Sequence, residues 1–507
     1  MDNKYDVIVV GAGNGGLAAA ATTAKNGLKT LLLEKHNLPG GCATSFSRGR
    51  FEFEPSLHEL CSVGTKDTPG KVYKVLDGLG ADIDWRYEYN PYRAIVKGEN
   101  GYDVTLSGSI EGFCDSMEAA VPGCRESVYA FLMLAEKNEK ALAYVEQKKG
   151  NPNKLVMAAK YGDFLRTASS SVNDVMIALG IPEKARRILE TYWGYLGVPC
   201  DELNCMHYLS MITGYIKEGA AMPYRRSHEL SLSLCKVIYD HGGEIYYNSE
   251  VTEFLYDETK RVIGVAVGDK KYYAKEVISN VIPHNVFNMS DPSAVPQTDL
   301  KLANAREFGI SVATIYLGLD CTAEELGIKD YTVFVMSEAD SRKQWDKRAE
   351  GSLYIVNCLN MVIPDSSPEG TCTMFFTMPI FGSDVPKDLT PQGYKKYKND
   401  LAKKYIEDYE KLMGLDIRSH IEEISVATPV TFARYLGTPE GTIYGYKSSD
   451  WDNVIMRTQC EAREYTIPGL SFCGGHAVMG DGFSCAYLTG STVGKRVSKR
   501  IKEGGNN

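Results

Sequence analysis

Three glycines and one carboxylate carry the clearest chemistry in the chain. Gly11, Gly13 and Gly16 stand in Gly11-Ala12-Gly13-Asn14-Gly15-Gly16, directly after the apolar run Asp6 to Val10 and before the alanine-rich run Leu17 to Lys25. A strand that turns through GxGxxG into a helix binds a pyrophosphate, because free N–H groups and the helix dipole favour anions at that end. Gly11 permits the tight turn, Gly13 lets a phosphate approach bare backbone, and Gly16 lets helix and strand pack closely. A second apolar run, Thr30 to Leu33, ends on Glu34, eighteen residues past Gly16. A carboxylate there accepts from a ribose 2′-hydroxyl and repels a 2′-phosphate. The unit predicts an adenine dinucleotide, with NADP disfavoured. A second kind of chemistry is open at His58-Glu59, two adjacent titratable groups. They suit either proton transfer or a structural His–Glu contact. No second histidine follows at helical spacing, so the pair is not an HExxH metal site.

Directly after Glu34-Lys35 comes Leu38-Pro39-Gly40-Gly41-Cys42-Ala43-Thr44-Ser45-Phe46, then Gly49 to Glu54 (GRFEFE). The paired glycines offer a second backbone cradle, which a plain NAD dehydrogenase does not need. Here the chain resembles the flavoprotein family of phytoene desaturases, carotenoid isomerases and retinol saturases, itself related to amine oxidases. The resemblance implies FAD, held by Gly11, Gly13, Asn14, Gly15, Gly16, Glu34, Lys35 and the segment Gly40, Gly41, Cys42, Ala43, Thr44. It returns at Gly242 to Val251, where Val251 inherits a backbone contact with the adenine, and at Ile278-Ser279-Asn280, which resembles the return strand of an FAD domain. It returns again at Thr428 to Tyr435 and Gly441 to Tyr446, whose Arg434 and Tyr435 shape the route to the flavin in this reading. Its last segment runs from Gly469 to Ser484 into a helix, Cys485 to Ile501. There the resemblance sets Gly475, Gly480, Gly482, Phe483 and Ser484 close to the flavin, with Asp481 on its ribityl or phosphate side. His476 is either near the ring or structural. One departure stands out: Arg225-Arg226 replaces a glycine pair of the family. The two arginines either receive a ligand carboxylate or phosphate, or form a solvated surface pair.

The family implies an FAD-dependent oxidoreductase acting on carbon–carbon double bonds of a long apolar or polyene substrate, by saturation, desaturation or isomerisation. His58, Glu59, Tyr435 and His476 are the candidates for handling the partner proton. Two rivals stand beside it: an amine-oxidase-like flavoenzyme, and a flavin-bound lipid-binding or redox-sensing protein without turnover. The electron donor or acceptor is left open.

These residues require an α/β chain: a Rossmann-type FAD-binding domain, a parallel sheet with helices, interleaved with a mixed α+β substrate domain. Residues 1–80, 221–290 and 451–507 fall to the first, and 81–220 and 291–450, with a helical insertion, to the second. A helix is predicted from Thr68 to Gly80, strands with turns from Ile83 to Ile110, and helices at Val128–Gln147, Lys154–Leu165 and Ser171–Leu179, the last capped by Asn173 or Asp174. Tyr192 to Gly197 and Met206 to Ile216 are aromatic- and Met-rich, suited equally to a pocket for an apolar ligand and to ordinary core. Beyond residue 290, Ser311–Leu319 and Thr371–Met378 are strand-like, and Gln392–Leu412 is a charged amphipathic helix with a solvated Lys-rich face. At 507 residues and 44% hydrophobic content, a large core in two domains is expected. The net charge of −9 argues against nucleic acid. The 13 cysteines form no CxxC pair or Cys/His metal spacing, so they are expected to be reduced thiols. An early first strand and the lack of any long apolar stretch predict a cytoplasmic protein, with peripheral membrane contact open to a lipophilic substrate.

Overall fold

The computed structural model describes residues 3–99, 101–148, 151–449, 451–452, 457, 466–477, 480 and 482–504. Strand Lys4–Val10 lies in the middle of a seven-stranded sheet. It runs parallel to Thr30–Leu33 on one side and to Lys270–Ser279 on the other, and Thr30–Leu33 runs parallel to Glu244–Tyr246. Val7, Ile8 and Val9 are fully buried, as expected of a parallel strand with both faces covered. Leu470–Phe472 extends the parallel part beside the end of Lys270–Ser279, whose first half pairs on that side with the antiparallel strand Val262–Val267, which in turn pairs with Glu253–Tyr256. Val10, Leu33, Tyr246 and Ser279 thus end at one edge, the edge where open α/β sheets bind ligands.

Helix Asn14–Lys25 packs along the C-terminal helix Gly482–Gly504 through small residues. A Cβ on Gly490 would stand 2.2 Å from the carbonyl oxygen of Gly15, so this approach is closed to any larger residue.

The second sheet also has seven strands, in the order Ile421–Ala427, Ser311–Leu319, Cys372–Ile380, Leu353–Cys358, Thr332–Met336, Tyr92–Val96, Tyr102–Leu106. All its pairings are antiparallel except Thr332–Met336 with Tyr92–Val96. Ser311–Leu319 and Cys372–Ile380 match the expected strands and are buried along their whole length. Thr332–Met336, Leu353–Cys358 and Ile421–Ala427 were not anticipated. Helix Pro391–Met413 packs Ala402, Tyr405, Ile406 and Tyr409 against this sheet.

Between the sheets in sequence comes the helical insertion. Arg125–Gln147 is its longest helix. The run expected from Lys154 to Leu165 divides at Tyr161 into Lys154–Lys160 and Gly162–Ala168. Ser171, rather than Asn173 or Asp174, caps Val172–Ala178, its side chain accepting from the Asp174 N–H at 3.1 Å. Lys71–Leu79 ends as predicted on Gly80, whose φ of 89° is left-handed. Among the described residues no helix is long and apolar enough to cross a membrane.

Candidate active site

A single cavity of about 1670 Å³ joins the ends of the parallel strands to the helical insertion. A drug-sized pocket is roughly 300–1,000 Å³, so this one has room for a dinucleotide and a second molecule.

At its strand end the two glycine turns lie against each other. Gly40, at φ 121°, donates its N–H to the Ala12 carbonyl at 2.7 Å, and a Cβ on Gly41 would stand 3.4 Å from the Gly13 Cα. A Cβ on Gly16 would stand 1.9 Å from the Gly11 carbonyl oxygen, which is the close packing expected of that glycine. Gly13 caps helix Asn14–Lys25 without a side-chain hydrogen bond, leaving the helix N-terminus to face the cavity. Glu34 is buried, and its carboxylate accepts from the Ala12 N–H at 2.6 Å and from the His36 N–H at 2.8 Å. It therefore ties the glycine turn to the end of the second strand while lining the cavity. Asn280 enters the same turn: Cβ atoms on Gly13 and Gly15 would stand 2.6 and 2.7 Å from its side chain. Its role was missed; the only sign in the sequence is a polar residue closing the apolar strand Val277 to Ser279.

Gly11, Asn14, Gly15, Lys35, Gly41, Cys42, Val251, Gly475, Gly482, Phe483 and Ser484 line the cavity. Ala43 and Thr44 do not. Ala43 is buried and its carbonyl accepts from Ser231 Oγ at 3.1 Å, and Thr44 Oγ1 donates to the Pro39 carbonyl at 2.8 Å, so both hold the loop from behind. Asp481 lies outside the described residues. The arginine pair is neither a ligand clamp nor a solvated surface pair. Arg226 is buried at a left-handed φ of 63° and bonds Glu52 at 3.0 Å, Arg225 is exposed, and neither lines the cavity.

The far end is apolar, lined by Leu142, Phe164, Met206, Leu209 and Met211. Tyr195 and Tyr215 pack in the core and also line the cavity, whereas Tyr192, Trp193 and Tyr208 serve the core alone, so the aromatic segment divides between the two uses foreseen for it. His58 and Glu59 line the same cavity. Tyr195 bridges them, its hydroxyl 3.1 Å from His58 Nδ1 and 3.1 Å from Glu59 Oε1. His58 Nε2 lies 3.0 Å from Thr377 Oγ1, and Thr332 Oγ1 donates to Glu59 Oε2 at 3.4 Å. Burial pushes His58 down to about 3 and, with Glu88 nearby, pushes Glu59 up to about 8, so both are neutral at pH 7.

The other two proton-handling candidates sit elsewhere. Tyr435 is 55% exposed at the Glu34 end, its carbonyl bonded to the His36 ring and its own ring 5.6 Å from it. The structure does not bring it to His58. His476 lines the cavity beside Gly474 and Gly475. Burial, then the charges of Arg306 and Arg457, push it down to about 3, and its buried Nε2 has no partner among the described residues. Asp320 and Cys321, neighbours in sequence, and His420, 100 positions from Asp320, bring metal-capable atoms within 4.8 Å of one another, but none of the three lines the cavity.

This architecture defines a Rossmann-type dinucleotide fold joined to a second, mainly antiparallel sheet. Residues 9–76 match the model of the NAD(P)-binding Rossmann-like domain family. The fold is that of an oxidoreductase from Methanosarcina mazei (TM-score 0.66, 17% identity, 97% of this chain and 100% of that one). It is also that of a putrescine oxidase solved with putrescine bound (TM-score 0.62, 16% identity, 98% and 99%). In sequence the chain is similar to the all-trans-retinol 13,14-reductase of Danio rerio, 24% identical over 100% of this chain and 90% of the relative. It is similar to the chloroplastic prolycopene isomerase of Arabidopsis thaliana (23%, over 99% and 86%) and to a 4,4′-diapophytoene desaturase of Methylomonas sp (22%, over 99% and 96%). Its relatives are thus the retinol reductases, carotenoid isomerases and carotenoid desaturases to which the glycine motifs pointed.

Proposed function

We propose that the chain is an FAD-dependent oxidoreductase acting on carbon–carbon double bonds of a long apolar or polyene substrate. The observation that carries this reading is the continuity of the cavity: the glycine cradle and an apolar lining, with His58, Tyr195 and Glu59 among its walls, belong to one space. The residues fit the cofactor. Gly13, Gly40 and Gly41 leave bare backbone for a pyrophosphate, Glu34 for a ribose and Val251 for the adenine side, while Gly475, His476 and Gly482 to Ser484 flank the flavin side. The orphaned His476 Nε2 is a ready partner for a polar edge of the bound group. When bound there, FAD supplies two-electron hydride exchange.

The chain's own residues do the rest. Met206, Leu209 and Met211 strip water from an apolar substrate and hold it by dispersion. His58 and Glu59, held neutral by burial, offer an ammonium no ion partner at that point of the cavity, which favours an unsaturated hydrocarbon over an amine there. Residues 1–80, 221–290 and 451–507 then serve the cofactor, and 81–220 and 291–450 the substrate. Such a substrate would be collected at a membrane face or from a carrier by a cytoplasmic protein. The test is to heat the purified protein and identify what it releases: free FAD is expected, and NAD without flavin would end this reading.

A further inference from the structure

One wall of the cavity holds an unbroken line of hydrogen-bonding groups whose order has a chemical consequence. Glu59 Oε1 is 3.1 Å from the Tyr195 hydroxyl, that hydroxyl is 3.1 Å from His58 Nδ1, and His58 Nε2 is 3.0 Å from Thr377 Oγ1. All four residues are buried and line the cavity. A phenol, a neutral imidazole and an aliphatic hydroxyl can each donate and accept. The line therefore has two complete arrangements. In the first, ionised Glu59 accepts from Tyr195, Tyr195 accepts from Nδ1–H of His58, and Nε2 accepts from Thr377. In the second, protonated Glu59 donates to Tyr195, Tyr195 donates to Nδ1, and Nε2–H donates to Thr377.

We propose that Glu59, Tyr195, His58 and Thr377 form a proton relay that delivers one proton from Glu59 to a substrate carbon in the cavity. The proposal rests on the flavin and double-bond reading above. Starting from the second arrangement, the Glu59 O–H bond breaks, each interior link takes one proton and releases another, and the Thr377 O–H proton leaves to form the new C–H bond. The other carbon of the double bond would receive hydride, two electrons and a proton, supplied by a reduced flavin held in the cradle. The substrate would then gain two hydrogens and the flavin lose two electrons, and Glu59 is left ionised until it takes a proton from solvent. His58 ends neutral in its other tautomer, so no charge is left on the links between.

The surroundings load this relay to give a proton. The titratable groups that bear on Glu59 are Glu88, Cys61 and the phenols of Tyr192, Tyr195, Tyr215 and Tyr331; none is a cation. Burial and Glu88 hold Glu59 protonated up to about pH 8. Burial also keeps His58 neutral, the only state in which it can both accept and donate. The relay thus serves addition of hydrogen rather than its removal.

The test uses the FAD-loaded protein and has two readouts. The first is the infrared carbonyl stretch of a protonated carboxyl, followed against pH without substrate. It is expected to disappear with a midpoint near pH 8 and to be missing in Glu59→Gln. The second is anaerobic reoxidation of pre-reduced flavin by a polyene panel headed by all-trans-retinol. Glu59→Gln, Tyr195→Phe and Thr377→Val should each slow it by about 100-fold, the scale of general acid catalysis. Thr377→Ser should restore it, and the loss of rate above pH 8 should vanish in Glu59→Gln. Reoxidation at the normal rate in Tyr195→Phe, or no carboxyl band at pH 6, overturns the relay. Failure of every polyene to reoxidise wild-type flavin, with the band present, overturns the functional reading and with it the relay's role.

Discussion

Replacing Glu34 by alanine should do two separable kinds of damage. The carboxylate accepts from Ala12 N–H at 2.6 Å and His36 N–H at 2.8 Å, and Ala12 is fully buried. An orphaned buried donor costs about 1–3 kcal/mol. His36 N–H is only partly buried, so water offsets part of its loss, and the protein without FAD should lose ~2–4 kcal/mol of local stability. FAD should in addition lose a charge-assisted hydrogen bond to its ribose, ~1.5–3 kcal/mol, or roughly ten- to a hundredfold in affinity. Glu34→Gln keeps one acceptor oxygen and should lose about half of each. Amide hydrogen exchange on peptides covering Val10 to Asn37, measured without FAD, reads the first effect. Calorimetric titration with FAD reads the second. Unchanged exchange in Glu34→Ala alongside weaker FAD binding would refute the structural role, and unchanged FAD affinity would refute the ribose contact.

His58 and Glu59 should shape the pH dependence of stability in opposite directions. His58 is pushed from 6.5 down to about 3, so the unfolded chain binds its proton more readily and stability rises as pH climbs from 3 to 6.5. Glu59 is pushed from 4.5 up to about 8, so the folded chain holds its proton and stability falls as pH climbs from 4.5 to 8. Between pH 6.5 and 8, of the two only Glu59 acts, and Glu59→Gln should remove a decline of about 2 kcal/mol there, read as a flatter plot of thermal midpoint against pH. Gly490→Val should abolish FAD retention, because its Cβ would stand 2.2 Å from the Gly15 carbonyl oxygen. Gly78→Ala, with nothing within 4 Å of the new atom, should be neutral or gain up to ~1 kcal/mol by denaturation. Met211→Trp should narrow the apolar chamber without touching the cradle, so FAD content stays and uptake of the longest polyenes, followed by fluorescence quenching, falls first.

The nucleotide end was legible because its chemistry is local. Gly11, Gly13, Gly16 and Glu34 lie within one βαβ unit, and the turn that binds a phosphate also fixes their spacing. The inner end was half legible. His58 and Glu59 stood out as neighbours, but Tyr195 and Thr377 reach them across 137 and 319 positions of sequence, which no spacing rule connects. Thr332–Met336 and Leu353–Cys358 were missed because each is short and wholly buried, with no alternation to mark a strand. Arg226 misled for another reason: the backbone keeps a left-handed φ of 63° at that position, while the side chain turns inward to Glu52 and away from any ligand. Ala43 and Thr44 followed the glycine pair in sequence but turned to the rear of the loop.

The central claim is that one cavity brings a flavin and an unsaturated apolar chain together, and anaerobic stopped-flow reoxidation tests it most directly. Protein carrying FAD is reduced chemically, then mixed in detergent with all-trans-retinol and other polyenes, and the oxidised absorbance is followed while the products are weighed by mass spectrometry. The account predicts return of the oxidised flavin spectrum together with a product two mass units heavier than its polyene. Reduced flavin that ignores every polyene, while the oxidised flavin is bleached readily by amines, would contradict it.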